Sequence, residues 1–212
     1  LAAREAAKGF PALDDRAGGT DTRPNEWNGL PRPKGPIAGL DLSKGEGNLS
    51  ELEILRLAEA IRVQKTRVRF ETTVGTIVFE VDPVWTPVHA ANLVLAAAAG
   101  VYDGTPWHRV VPAFVIQGGD PRGDGSGDAG YAVPDEIAPH ASFLRGTLGM
   151  PKSTKDTGGC QVFVMHMSAP HLDQRYTAFG AVVEGIEVVD RIRVGDRILK
   201  ATLVEGGAAG AR

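Results

Sequence analysis

At 212 residues and 22.4 kDa the chain is long enough for one compact domain with an appendage and too short for two large ones. Its 23 basic and 26 acidic residues leave a formal charge of -3, which excludes the cationic footprint that nucleic-acid binding needs. Glycine and proline, 27 and 14 residues, break the backbone too often for a helical bundle, and no apolar run approaches the roughly 18 to 20 residues that span a bilayer.

Residues 1–48 alternate proline, glycine and charge without apolar periodicity, as in Gly29-Leu30-Pro31-Arg32-Pro33-Lys34-Gly35-Pro36, and read as an extended arm or linker. Phe10, Leu13, Trp27 and Ile37 are apolar enough to lie against a domain surface. The start at Leu1 reads as a processed form or a fragment. Ser50-Glu51-Leu52-Glu53 has capping-box spacing, with Leu49 and Ile54 as a hydrophobic staple, so an amphipathic helix is expected over 49–65. Leu52, Leu55, Ala58 and Ile61 are its expected buried stripe.

From Arg67 the period becomes two: Val68 and Phe70, a turn at Thr73-Val74-Gly75, then Ile77, Phe79 and Val81 predict a β-hairpin. Thr86-Pro87 opens a helix that Gly100 stops. Strands are expected at 107–110, 114–117, 147–150, 161–166, 179–183 and 198–204, with a short helix at 187–194 and a flexible tail at 206–212. The class is mainly β, a closed barrel capped by helices, since closure removes exposed edges.

Several motifs lead nowhere. Gly125-Ser126-Gly127-Asp128-Ala129-Gly130 spells a dinucleotide pattern, but Tyr131-Ala132-Val133-Pro134 cannot open the helix it requires. Asp120, Asp124 and Asp128 are spaced wrongly for a calcium loop, and the histidines at 89, 108, 140, 166 and 171 show no metal spacing. The lone Cys160 rules out an internal disulfide and leaves the compartment open between export or cell envelope and cytoplasm. No nucleophile elbow occurs, and neither metal nor cofactor is expected. What stands out is Trp107-His108-Arg109-Val110-Val111-Pro112-Ala113-Phe114-Val115-Ile116-Gln117-Gly118-Gly119-Asp120, where Arg109 and Gln117 interrupt an apolar context.

This run resembles the signature of the cyclophilins, close to F-H-R-V-I-x-x-F-x-x-Q-G-G-D, with Trp107 in place of the first Phe. The resemblance continues through Gly100-Val101-Tyr102-Asp103-Gly104, Gly146-Thr147-Leu148-Gly149-Met150, Gly159-Cys160-Gln161-Val162-Phe163 and His171-Leu172-Asp173, over 66–205. It implies a closed antiparallel barrel with a helix at each end, and a cofactor-free peptidyl-prolyl cis/trans isomerase that assists protein folding. The alternative is a non-catalytic proline-peptide binding module within a larger assembly. Carried over by motif, Arg109 is catalytic, and Phe114, Met150, Phe163 and Leu172 form the proline pocket. Gln117 and Gln161 support substrate and arginine, and His108 lies near the rim. Pro151 and Lys152 lie on the segment that a peptide follows, where the family commonly has Ala-Asn or Ala-Arg. His171 stands where the family often has Trp, and Tyr176 where it has His, so the pocket wall is reshaped and weak cyclosporin binding is implied. The form is similar to bacterial members, in Asp156-Thr157-Gly158-Gly159 for example. Implied partners are proline-containing polypeptides and a docking partner for the N-terminal arm.

Overall fold

The computed structural model describes residue 30 and residues 32–204. Period-two patterning becomes strands β1 (Arg67–Thr72) and β2 (Gly75–Val81), which pair antiparallel around the expected turn. They are followed by β3 (Arg109–Val111), β4 (Val115–Gly118), β5 (Thr147–Gly149), β6 (Val162–Met165), β7 (Ala178–Glu184) and β8 (Ile198–Val204). One sheet of 8 strands results, in the order β3-β4-β6-β5-β7-β2-β1-β8, with all pairings antiparallel.

The sheet is a curled half-barrel rather than the closed barrel expected. Its edge strands β3 and β8 do not pair with each other; the residues before them do the joining. Trp107 N–H donates to Asp196 O at 2.7 Å, Gly195 N–H to Trp107 O at 3.1 Å and Ile198 N–H to Thr105 O at 2.9 Å. With β3 only 3 residues long and stopped by Pro112, which has no N–H, nothing remains to extend a ladder. The same seam delays β3 to Arg109, because the backbone of Trp107 is already engaged.

Helix α1 (Glu51–Gln64) begins at Ser50 with both halves of the capping box in place. Its buried face is Ile54, Leu57, Ala58 and Ile61, whereas Leu52 and Leu55 are 59% and 44% exposed. The expected stripe stepped by three throughout. At 3.6 residues per turn each such step slips back by about 60°, so Leu52 and Ile61 fall on opposite faces. Alternating steps of three and four hold one face toward the core.

Residues 32–49 are not a free linker. Leu30, Ile37, Leu42 and Leu49 are buried in the main core, and Leu49 N–H donates to Leu30 O at 2.7 Å. Arg32 donates both terminal nitrogens to the Glu53 carboxylate, at 2.7 and 3.2 Å. Phe10, Leu13 and Trp27 lie outside the described residues.

Helix α2 (Pro87–Ala99) lies against α1, and residues 89–97 are all buried. Thr86 provides no side-chain cap; instead the Glu136 carboxylate accepts Val88 N–H at 3.0 Å and His89 N–H at 2.8 Å. A carboxylate there also opposes the positive end of the helix dipole. Helix α3 (Ile186–Arg191) packs on β2. The curled sheet is filled by side chains such as Phe70, Phe79, Ile116, Leu148 and Phe179. That leaves its outer surface to carry a site.

Candidate active site

A second, smaller apolar cluster lies apart from the main core: Val115, Phe143, Phe163, Met165 and Ala169, with Phe114, Leu172 and Tyr176 packed on it. Strand register builds it. In the antiparallel ladder Gln117 faces Arg109 on β3 and Phe163 on β6, and Gly149 of β5 faces Phe163 from the other side. Gly149 is required by close approach, since a Cβ there would lie 2.3 Å from Phe163 Cζ and 2.7 Å from Phe143 Cε1. Phe143 stacks on Phe163 at 5.6 Å, and Tyr176 meets Phe163 edge-on at 6.1 Å. The result is an aromatic floor with one upright wall.

Arg109 stands exposed at its border, with its guanidinium carbon 6.0 Å from the Phe114 ring centroid. No hydrogen bond or ion pair engages it among the described residues. Phe114 in turn stacks on His171, at 5.7 Å, on the 3-10 turn Pro170–Leu172.

The polar side is set by a chain of side-chain amides. Gln117 Nε2 donates to Gln161 Oε1 at 3.0 Å, and Gln161 Nε2 donates to the carbonyls of Gly125 and Gly127 at 3.1 and 2.9 Å. The loop presenting those carbonyls is gathered by buried Asp120, whose carboxylate accepts N–H groups from Arg122, Asp124 and Gly125 at 2.9, 3.0 and 2.5 Å. Glycine is needed at 127 because a Cβ would lie 2.0 Å from Asp120 Oδ1. The Asp and Gly spacing of this stretch is thus that of a loop folded around one carboxylate.

Beside the aromatic floor runs a groove of about 340 Å³, lined by Gln117, Gln161, the 125–128 loop, Pro151, Lys152 and Ser153 among others. Of the expected site residues, Arg109, Phe114, Gln117, Phe163, His171, Leu172 and Tyr176 surround the floor, and Gln161, Pro151 and Lys152 line the groove. The remaining two are Met150 and His108. Met150 is 2% exposed and packs in the main core, where Gly158 leaves room for its side chain. His108 turns under the 120–127 loop, against Gly125, where burial pushes its imidazole below the ordinary pKa while Asp120 and Asp124 pull it back up.

The residue reading did not pick out Phe143 for the floor, or Asp135, which forms an ion pair with Lys152. Phe143 lies between strands in an irregular stretch, so no periodicity marks it. Cys160 is no nucleophile: it is fully buried, and burial pushes its thiol well above the ordinary value. The site therefore offers an exposed arginine, side-chain amides and an apolar floor, which suits binding and polarising a peptide without covalent chemistry.

An exposed arginine beside an aromatic pocket on a curled antiparallel sheet suits a protein that binds peptides. The sequence model of the family "Cyclophilin type peptidyl-prolyl cis-trans isomerase/CLD" matches residues 67–205, and the chain belongs to that family. A peptidyl-prolyl cis-trans isomerase of Synechococcus elongatus is 42% identical over 147 residues, covering 68% of this chain and 99% of that one. Peptidyl-prolyl cis-trans isomerase B of Bacillus subtilis is 42% identical over 132 residues, 61% of this chain and 91% of its own. The crystal structure of a Cryptosporidium parvum cyclophilin type isomerase superposes with a TM-score of 0.62 at 28% identity, covering 67% of this chain and 99% of that one. That protein has also been solved in the presence of the dipeptide Ala-Pro.

Proposed function

We propose that the chain catalyses cis/trans isomerisation of X-Pro bonds in polypeptides, with Arg109 as the catalytic group. The observation that carries this assignment is an exposed guanidinium with no hydrogen-bond or ion-pair partner among the described residues, beside the Phe114 ring at the edge of an aromatic floor. Rotation about an X-Pro bond meets a barrier of about 18 to 20 kcal/mol because it breaks amide resonance. No bond to carbon is cleaved, so neither a nucleophile nor a cofactor is required. As the amide twists, the proline nitrogen regains its lone pair. A guanidinium N–H directed at that nitrogen binds the twisted form better than the planar one, which is the differential that lowers a barrier. Arginine suits the task because it stays charged and holds its donors in a rigid plane.

The proline ring would rest on Phe163 between Phe114, Leu172 and Tyr176. Gln117 and Gln161 hold the polar edge, and the peptide continues past Pro151 and Lys152. His171 lies over Phe114 at the outer wall, where cyclosporin would also make contact. His108 supports the loop from beneath.

Arg109→Ala tests the assignment. Because the side chain is exposed, the variant is expected to fold normally and to lose about a hundred- to thousandfold in kcat/KM, the usual effect of removing one preorganised donor. Equal isomerisation rates for the two proteins on an X-Pro peptide, at matched folded fraction, exclude the role.

A further inference from the structure

A lysine lining a peptide groove ordinarily attracts acidic side chains. Lys152 lines the groove beside the aromatic floor, yet its ammonium is engaged elsewhere. It forms an ion pair with Asp135, which is not among the groove-lining residues, and lies 5.5 Å from the centroid of the Tyr176 ring. The two charged side chains are only 16% and 10% exposed, so solvent screens them little and each neutralises the other at close range.

The backbone at Asp135 is held independently of the lysine. Its own N–H donates to Asp156 Oδ1 at 2.8 Å, and the next residue, Glu136, donates its N–H to Thr177 Oγ1 at 3.0 Å. The Glu136 carboxylate is bound to the first turn of α2. Asp135 thus has a preset position from which it draws the ammonium toward Tyr176, and Tyr176 is the wall that meets Phe163.

We infer that Asp135 is a specificity-determining residue: by masking Lys152 it makes the groove indifferent to the charge of the peptide side chain lying there. The inference rests on the reading that a proline peptide follows 150–153, and it touches neither Arg109 nor the reacting bond. Removing Asp135's charge leaves the ammonium uncompensated and turns the groove toward acidic peptides. Removing the ammonium alone leaves a carboxylate and turns it toward basic ones.

The test is calorimetric titration of X-Pro peptides that differ only in Glu, Gln or Lys at one, two or three positions before the proline. Wild type is expected to bind Glu and Gln forms within about twofold of each other. Asp135→Asn should favour the Glu form by about three- to fivefold, an effect that weakens at high salt. Lys152→Met should favour the Lys form, and the double variant should return to indifference. Equal Glu and Gln affinities in Asp135→Asn, a preference that persists in the double variant, or a wild type that binds none of the peptides overturns the inference. Turnover is measured separately: binding with this charge pattern but no isomerisation by wild type would remove the catalytic reading and leave the masking role standing.

Discussion

Ala113 occupies the left-handed region at φ 59°, between Pro112 and Phe114, in the turn that joins β3 to β4. A Cβ there costs about 1 to 2 kcal/mol, which glycine avoids. Part of that gain is offset by the greater freedom of glycine in the unfolded chain. Ala113→Gly is therefore expected to stabilise the protein by about 0.5 to 1 kcal/mol, seen as a higher denaturant midpoint at unchanged slope. A lower midpoint would show that Ala113 makes contacts that outweigh its strain. On the same hairpin Phe114 stacks on His171, and an indole at 171 would add apolar contact. His171→Trp is expected to tighten cyclosporin binding severalfold in a fluorescence titration; an unchanged or weaker affinity counts against His171 as a contact. At this scale Arg109 and Gln117 stand out in the sequence because they interrupt an apolar run, and the structure sets them opposite each other across a tight hairpin. The amide chain from Gln161 to the loop joins residues 34 and 36 apart, and Lys152 meets Asp135 17 residues away. Pairings of that kind leave no local period, and only folding brings them together.

At the scale of elements, α1 shows which patterns reach into sequence. Its start was readable because a capping box is complete within four residues. Half of its buried face was misassigned because a uniform step of three slips round the helix and carries Leu52 and Leu55 away from the side that holds Ala58 and Ile61. The docking of residues 32–49 includes an ion pair from Arg32 to Glu53, 21 residues on, which no spacing rule anticipates. That contact has a pH signature. Hydrogen bonds from Arg32, and then from Ser50, lower the Glu53 carboxyl from 4.5 to about 2. A carboxyl lowered in the folded state contributes stability above about pH 4.5 that is lost as pH falls toward 2. Wild type is expected to exceed Glu53→Gln by about 1 to 2 kcal/mol at neutral pH. The gap should close between pH 4.5 and 2. Chemical unfolding across that range checks it, and parallel curves would remove Glu53 from the docking.

For the molecule as a whole, the question is whether α1 and the segment before it are an attachment or part of the same folding unit. The family match begins at residue 67, which suggests an attachment. Packing points the other way. Residues 89–97 of α2 are buried on every face, which a helix capping one end of a sheet attains only if a second layer covers it. That layer is α1, through Ile54, Leu57 and Ile61, in one continuous cluster with Val68, Phe70 and Leu93. We therefore propose that residues 30–64 fold cooperatively with the sheet. Leu57 is fully buried, and truncation to alanine would leave a cavity between the layers, costing about 2 to 5 kcal/mol. If the layers form one unit, Leu57→Ala lowers stability by that amount in a single transition, with far-UV and near-UV signals falling together. Activity per folded molecule should be unchanged, because the proposed isomerase surface, on β3, β4, β6 and the 170–176 segment, includes neither α1 nor α2. Two separated transitions, the later one at the wild-type midpoint, would instead make α1 an independent attachment.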